Sequence, residues 1–499
     1  MTAKQVTATP APVRWDPRLW GLLFVLSGNM LLDALEVSVV IVAMPSIGDD
    51  LNLGIAALQW TMSGFALGFG GLLLFGGRVV ALLGRRRMYL IALLVFAAAS
   101  LVGALADNGA LLTATRFVKG FCVALTAPTG LAIIGNTFRE GPARNRAMSI
   151  YSLFGASGFS LGLLLSGALT QVSWRWTFLF PVPVAIALFA LGLRLIPRDK
   201  PGEDTDRRYD LAGAGTFVAA MLLLVHAIVT GPEIGWGHPR TVGAFALTAL
   251  LAAGFVVIER SVPRPLVRFG VFTNRALMRS ALGAAALNGA YWGFLLVCTF
   301  QLQSLLDWTP WQVGLAILPA SMLLTLAAPF SGRMVGRFGA ARLIALGAAA
   351  PPAGYILWLS AGTPSTYAAD VLPTMLLVGL GFLLAFSPLH VQAIAGIRTA
   401  ERGMASGAYQ TAVQLGGAVM LALVAALLVA NEAPEGASAD AVSAGYRPAL
   451  LLIIAAGVAG LLVALTGLFP RGRLPVSSSG ERTPDGRSHD ISTRAQRGA

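Results

Sequence analysis

The sequence predicts an all-α polytopic membrane protein: fourteen transmembrane helices, built as two six-helix pseudo-repeat halves plus an inserted two-helix hairpin. Three observations predict it. Of the 499 residues, 56% are hydrophobic and 12% charged, with a mean hydropathy of +0.73, whereas soluble domains carry about 25% charged residues. Apolar runs long enough to cross roughly 30 Å of hydrocarbon recur along the whole chain. The connection GGRVVALLGRRR also returns later as SGRMVGRFGAAR, with the pair Gly77 and Gly84 matched by Gly332 and Gly339.

The apolar runs fall at 20–45, 57–80, 88–106, 111–138, 147–170, 176–196, 211–230, 241–259, 278–304, 311–333, 341–361, 370–395, 404–430 and 448–469. Alternate connections carry the basic residues. Thirty-one of the 36 Lys and Arg lie in the N-terminus, in six connections starting at Arg78, Arg139, Arg194, Arg260, Arg333 and Arg398, and in the tail from Arg471. The other connections hold only Arg175, Arg240 and Arg447. The positive-inside rule therefore places both termini in the cytoplasm of a multi-pass cell-membrane protein. Pro470 ends the last span, because it has no N–H with which to continue the ladder. The expected organisation is a cytoplasmic N-terminus (1–17), an N-terminal six-helix half (18–197), a linker with inserted helices 7 and 8 (198–275), a C-terminal six-helix half (276–470) and a disordered cytoplasmic tail (471–499). A chain with three Lys against 33 Arg suggests a GC-rich bacterial genome.

A net charge of +13 does not point to nucleic acid, since the basic residues sit in short clusters between apolar runs. Cys122 and Cys298 both lie inside apolar runs, so neither a disulfide framework nor a cysteine metal site is indicated. The polar start, Met1 to Pro17, leads into a full span without a small-residue cleavage site, which reads as an uncleaved start.

Span 1 carries two acids. Asp33 lies about 20 Å along it and Glu36 one turn further, and with Asn29 they form a polar stripe spaced i, i+4, i+7. A charge at mid-bilayer costs roughly 2.5–3.5 kcal/mol on insertion scales, so such residues face a partner or a cavity and mark ion or substrate paths. The alternative is a neutralised pair that only packs helices. Span 4 supplies the opposite sign, with Arg116 and Lys119 at i, i+3 and Gly120 allowing close helix approach. Arg116 also lies near enough to the outer end to snorkel. The heights of the four charges along their spans allow Glu36 to share a cavity with Lys119 or Arg116, so that proton binding to Glu36 releases its basic partner.

LEVSVVIVAMP in span 1, LQWTMSGFALGFGGLLLFGGRVVALLGRRR through span 2, Arg116 with Gly120 in span 4 and SWRWTFLFPVP before span 6 resemble the major facilitator superfamily, specifically its fourteen-span drug:proton antiporter branch. FQLQSLLDWTPWQVGLAILP and ERGMASGAYQTAVQLGGAV are similar to that branch too. The resemblance puts Glu36 in the place of the family's span-1 acid and Arg116 in that of its span-4 arginine, both implicated in proton coupling, with Asp33 contributing less. The gating loop keeps Gly77, Arg78, Gly84, Arg85 and Arg86 but has Ala81 where the family carries Asp; Lys119 stands where Gln is common. The span-5 packing motif keeps Gly158, Gly162 and Gly167, with Leu163 replacing its Pro and Ser166 the first of its closing Gly pair.

Weaker substrate-binding candidates are Asn29, Tyr291, Trp292, Gln301 and His390, each of which serves equally well as a packing or hydrogen-bonded structural residue. Tyr409, Gln410 and Gln414 of span 13 are similar, and His226 of the hairpin reads as structural. The leading function is secondary active transport: proton-driven efflux of amphipathic drugs or antibiotics by alternating access, with Glu36 or Asp33 taking the proton. The alternatives are a metabolite uniporter or importer of the same fold and, from another class, a membrane-embedded enzyme. The chain holds no HExxH, CxxC or Walker A sequence, so neither a metalloprotease site nor ATP is indicated, and no cofactor or metal is expected. Its expected partners are a small-molecule substrate, protons and the lipid bilayer, not nucleic acid, and it is expected to act as a monomer. The arginine asymmetry makes a topology prediction: a reporter active only outside the cytoplasm works when fused after Asp50, Gly237 or Glu435 and is silent after Arg87, Arg207 or Arg402. Activity at Arg207 with silence at Gly237 would invert the hairpin.

Overall fold

The structure is a computed structural model that describes residues 15–198, 211–262, 269–362, 366–398, 401–434 and 438–468. The linker stretches 199–210 and 263–268, the first fourteen residues and the tail from 469 lie outside the described residues, as do the side chains of Arg78 and Ala81. Among the described residues every regular element is helical, and fourteen helices are long and apolar enough to cross a membrane. In chain order they are α1 (Pro17–Ser38), α2 (Ile55–Leu83), α3 (Arg85–Ala104), α4 (Gly109–Thr137), α5 (Pro142–Thr170), α6 (Pro181–Leu195), α7 (Leu211–Ile234), α8 (Pro239–Ser261), α9 (Arg275–Phe300), α10 (Pro310–Ala327), α11 (Ala340–Ala361), α12 (Leu372–Ala393), α13 (Arg402–Ala430) and α14 (Arg447–Leu465).

The two six-helix halves repeat one packing scheme. In the first, α1 packs on α5 and α6, α2 on α4, and α3 on α4 and α6. In the second, α9 packs on α13 and α14, α10 on α12, and α11 on α12 and α14. Each half offers its second helix to the fifth helix of the other, giving two seams, α2 against α13 and α5 against α10. The inserted α8 packs on α7, which lies against both α2 and α13. The repeat seen in the loop sequences is geometric as well: Gly84 and Gly339 both take a left-handed φ, 93° and 80°, to turn the chain between helices.

Two spans are broken where the apolar pattern runs on. The apolar run of span 1 reaches residue 45, but α1 stops at Ser38 and a buried turn, Val39 to Ala43, leads into a short helix, Met44–Leu51. Pro45 has no N–H for the Ile41 carbonyl, and the turn substitutes i→i+3 bonds such as Ile41 N to Ser38 O at 3.1 Å. Span 10 breaks at Ala328–Phe330, where Pro329 removes the donor for the Thr325 carbonyl, and resumes as Ser331–Phe338. π-Helical turns follow α9 (Gln301–Leu305) and precede α12 (Tyr367–Val371).

The seam between α5 and α10 is closed at the arginine-poor end. There a Cβ added to Gly167 would lie 2.9 Å from Pro310 O, and one on Gly314 2.8 Å from Leu163 O. The other seam makes contacts toward the arginine-rich end, where Leu74 of α2 packs on Gly407 of α13, and no side chain of the Ser331–Phe338 helix is buried. Within the first half, α2 and α4 touch backbone to backbone: a Cβ on Gly120 would overlap Phe65 O, and one on Gly68 would overlap Phe117 O. The seam of α1 with α5 is equally close, at Gly158 against Leu31 O and Gly162 against Ser38 Oγ. Gly120→Val should therefore lower the unfolding temperature in detergent sharply, since the obstacle is backbone that has no rotamer to yield, whereas Gly77→Ala, with nothing within 4 Å, should be tolerated. Equal behaviour of the two variants would mean that the α2–α4 approach is not so close.

Candidate functional site: the buried charges of α1 and α4

Glu36 lies in the last turn of α1, and that position decides what it offers. The last four carbonyls of a helix have no intrahelical donor, so the Glu36 main-chain oxygen is free as well as its carboxylate. Arg116 of α4 takes both: Nη1 donates to Glu36 Oε2 at 2.6 Å and Nη2 to Glu36 O at 2.9 Å, while Nε donates to Thr61 O of α2 at 3.0 Å. Lys119, one turn along, donates from Nζ to Glu36 Oε1 at 2.6 Å. Arg116 is 1% exposed, and Glu36 and Lys119 are fully buried, so Arg116 does not snorkel outward. Aromatic rings cover the cations, with Phe65 4.5 Å from the Arg116 guanidinium and Phe96 and Phe178 5.0 and 5.1 Å from Lys119 Nζ.

Asp33, one turn nearer the start of α1, has a different environment. Its Oδ2 accepts from Asn29 Nδ2 at 3.0 Å and from Thr126 Oγ1 of α4 at 2.8 Å, and among the described residues it forms no ion pair. Thr126 follows Arg116 and Lys119 at helical spacing, a continuation of their stripe that a reading confined to charges passes over. Just beyond Glu36, Ser38 Oγ donates to Phe159 O of α5 at 2.8 Å, and Val42 O in the buried turn accepts from Gln303 Nε2 of the other half at 2.9 Å. No sequence signal singles out Gln303. The arginine-poor end carries a further pair, Asp50 with Arg175, in which Trp174 Nε1 also donates to Asp50. Hydrogen bonds from Arg175 and Trp174 hold the Asp50 carboxyl below its usual range, so its contribution is present above the ordinary carboxylate value of about 3.9 and is lost only as pH falls through the lowered one.

The weaker candidates divide. Tyr291 stands where the halves meet, between Phe159 of α5 at 5.9 Å and Phe382 of α12 at 4.7 Å between ring centroids, and its buried hydroxyl has no hydrogen-bond partner among the described residues. Trp292 packs on Gly417 of α13, and Gln301 accepts from Trp358 Nε1 at 2.8 Å, so both serve the interior of the second half. Asn29 is engaged by Asp33. His390 is exposed near the C-terminal end of α12, stacked on Tyr409 and bonded to Ser406 at 3.0 Å. One string in the chain is hydrolase-like: Gly158-Phe159-Ser160-Leu161-Gly162 spells Gly-x-Ser-x-Gly, a pattern that makes a nucleophile only on a strand-to-helix turn. Here it lies inside α5, and Ser160 Oγ meets Thr325 Oγ1 at 3.2 Å rather than a histidine.

Two repeated half-bundles joined along two seams, with charges buried between helices of the first half, define a membrane transporter. The description "Major Facilitator Superfamily" matches residues 26–421, and the chain belongs to that family. It is 34% identical to "Puromycin resistance protein pur8" of Streptomyces alboniger over 91% of this chain and 92% of that one. It is 33% identical to "Lincomycin resistance protein" of Streptomyces lincolnensis, over 91% and 92%, and 34% identical to "Cephamycin export protein CmcT" of Amycolatopsis lactamdurans, over 89% and 92%. Among solved structures the fold is similar to the POT family transporter PepTSo (TM-score 0.63, 16% identity, 91% of this chain and 99% of that one). The xylose transporter XylE from E. coli is comparable (TM-score 0.60, 13% identity, 90% and 98%).

The clamp on Glu36 yields a stability prediction. Arg116→Ala removes three donors at once and leaves a buried carboxylate half-neutralised, a class of loss that costs about 3–5 kcal/mol. Lys119→Gln keeps an amide donor within reach of Glu36 and should cost clearly less. Thermal unfolding in detergent should rank them in that order; equal shifts would show that Arg116 is not the anchor.

Proposed function

We propose that the chain is a proton-driven exporter of amphipathic antibiotics or drugs, and that its buried carboxylates on α1 couple proton movement to the exchange between inward- and outward-facing states. The observation that carries the reading is the Glu36–Arg116–Lys119 cluster, a charge set too costly to bury for packing alone. The relatives named for puromycin and lincomycin resistance and for cephamycin export support the substrate class and the direction. Drug molecules of this kind suit the aromatic wall formed by Tyr291, Phe159, Phe382 and Phe386 at the meeting of the halves. The chain acts as a monomer with both termini in the cytoplasm, so the arginine-rich end faces inward. An import or uniport reading would start from Leu163 and Ser166, yet both are buried, Leu163 beneath Gly314 of α10, and fit a seam that opens and closes in either direction.

The test is accumulation in intact cells of puromycin, lincomycin and a cationic dye, with and without an uncoupler. Wild type should keep at least one of them out until the uncoupler is added, and Glu36→Gln should lose that protection while the protein still inserts. Protection by wild type that survives the uncoupler would remove protons from the reading. Full uncoupler-sensitive export by Glu36→Gln would reduce the cluster to a structural role.

A further inference from the structure

Two carboxylates stand one turn apart on α1, and the structure treats them in opposite ways. Both oxygens of Glu36 are held at 2.6 Å by separate cations. Protonating Glu36 would break two charge-assisted hydrogen bonds and leave Arg116 and Lys119 buried together without a counter-ion, an arrangement of like charges that resists proton uptake. Among the described residues Asp33 receives only neutral donors, both on Oδ2, and no hydrogen bond reaches Oδ1. A proton placed on Oδ1 breaks neither of those bonds and strands no cation.

The surroundings agree. The titratable groups near Asp33 on the packed helices are Tyr89 on α3, Cys122 on α4 and Tyr151 on α5, with Glu36 on α1 itself; α6 brings the apolar Leu188 and Leu195 against α1. Tyr151 Oη is committed to Ala127 O at 3.1 Å. Tyr89 is fully buried beside Asp33 and Asn29. Charge counting points the same way. Arg116, Lys119 and Glu36 together carry one net positive charge; ionised Asp33 makes the set of four neutral, and protonated Asp33 leaves it positive. Asp33 also lies a turn closer than Glu36 to the arginine-rich end of α1.

We infer that Asp33, rather than Glu36, loads and unloads the transported proton, that Thr126 positions its carboxylate, and that Glu36 stays ionised as the lock between α1 and α4. This reverses the order expected from the family position of Glu36, and it rests on the proton-driven reading. The step is a single proton transfer: in the inward-facing form the proton leaves Asp33 Oδ1 for the inner aqueous side, and no other bond changes.

The experiment is a pH titration of the full-length protein in lipid by difference infrared spectroscopy, reading the C=O stretch of a buried protonated carboxyl, beside uncoupler-sensitive export of puromycin from cells. Wild type should show one such band that titrates. Asp33→Asn should remove it and Glu36→Gln should leave it. Thr126→Val deletes a donor that favours the ionised form, so the band should persist with its midpoint moved up by about one pH unit, a tenfold change in proton affinity; a residue of purely structural importance would not move that midpoint. No titrating band in wild type, a band lost in Glu36→Gln but kept in Asp33→Asn, or an unmoved midpoint in Thr126→Val would each overturn the inference. The band assigned to Asp33 together with wild-type export that ignores the uncoupler would leave Asp33 the protonatable group and overturn the proton-driven reading instead.

Discussion

The rest of the first half depends on one constraint: three ionised side chains are buried where water cannot reach them. Two cations on one carboxylate leave every strong donor or acceptor in the cluster with a partner, which is the condition under which buried charge is tolerable. That condition dictates local structure. α1 must end at Ser38, because a continuing helix would occupy the Glu36 carbonyl that Arg116 Nη2 needs. α2 and α4 must meet at Gly68 and Gly120, because Arg116 has to reach Thr61 O on the neighbouring helix with its Nε while its fork grips Glu36. The phenylalanines that close the site, Phe65, Phe96 and Phe178, come from three different segments, so the cluster ties together more chain than its three residues suggest.

The same cluster is joined mechanically to the surfaces that must separate during transport. From Glu36 the chain runs two residues to Ser38, bonded to Phe159 on α5, and six to Val42, bonded to Gln303 on the opposite half. Gln303 lies in the π-helical turn of α9, where an extra residue per turn exposes backbone and side chains that a regular helix would hide. A change in the grip on Glu36 alters the end of α1, and with it the turn that the other half holds. This is a short, bonded route from Glu36 to a contact with the other half, and each step of it is a named hydrogen bond rather than an inference from proximity.

Much of this is legible in the sequence. Span count, the inserted hairpin and the two-half repeat follow from hydropathy, arginine placement and a loop that occurs twice, and these are properties that one helix shows by itself. The facing of Glu36 with Arg116 and Lys119 is legible from heights along two antiparallel spans. What is not legible depends on a second chain segment at close range. The apolar run past Ser38 looks continuous because β-branched residues such as Val39, Val40 and Ile41 suit a span and a buried turn equally well, and only Pro45 hints at the break. Trp292 and Gln301 read as pocket residues by type, yet a glycine on α13 and an indole on α11 claim them. Asp33 looks like the lesser acid in the sequence because its partner, Thr126, carries no charge to attract notice.

The inserted pair shows why extra helices can be added to such a fold without disturbing the site. The charge cluster belongs to α1, α2 and α4, and one seam between the halves belongs to α5 and α10. Only the other seam, α2 against α13, meets the insertion, where α7 lies along both helices and α8 touches the bundle through α7. A helix that contacts both halves must slide on at least one of them as they rock. Sliding is easiest where contacts are apolar and non-directional, and the α7 residues packed against the core, Met221, Leu222 and Leu224, have that character. The insertion therefore covers the moving junction from the lipid side while leaving the hydrogen-bonded route from Glu36 to Gln303 untouched.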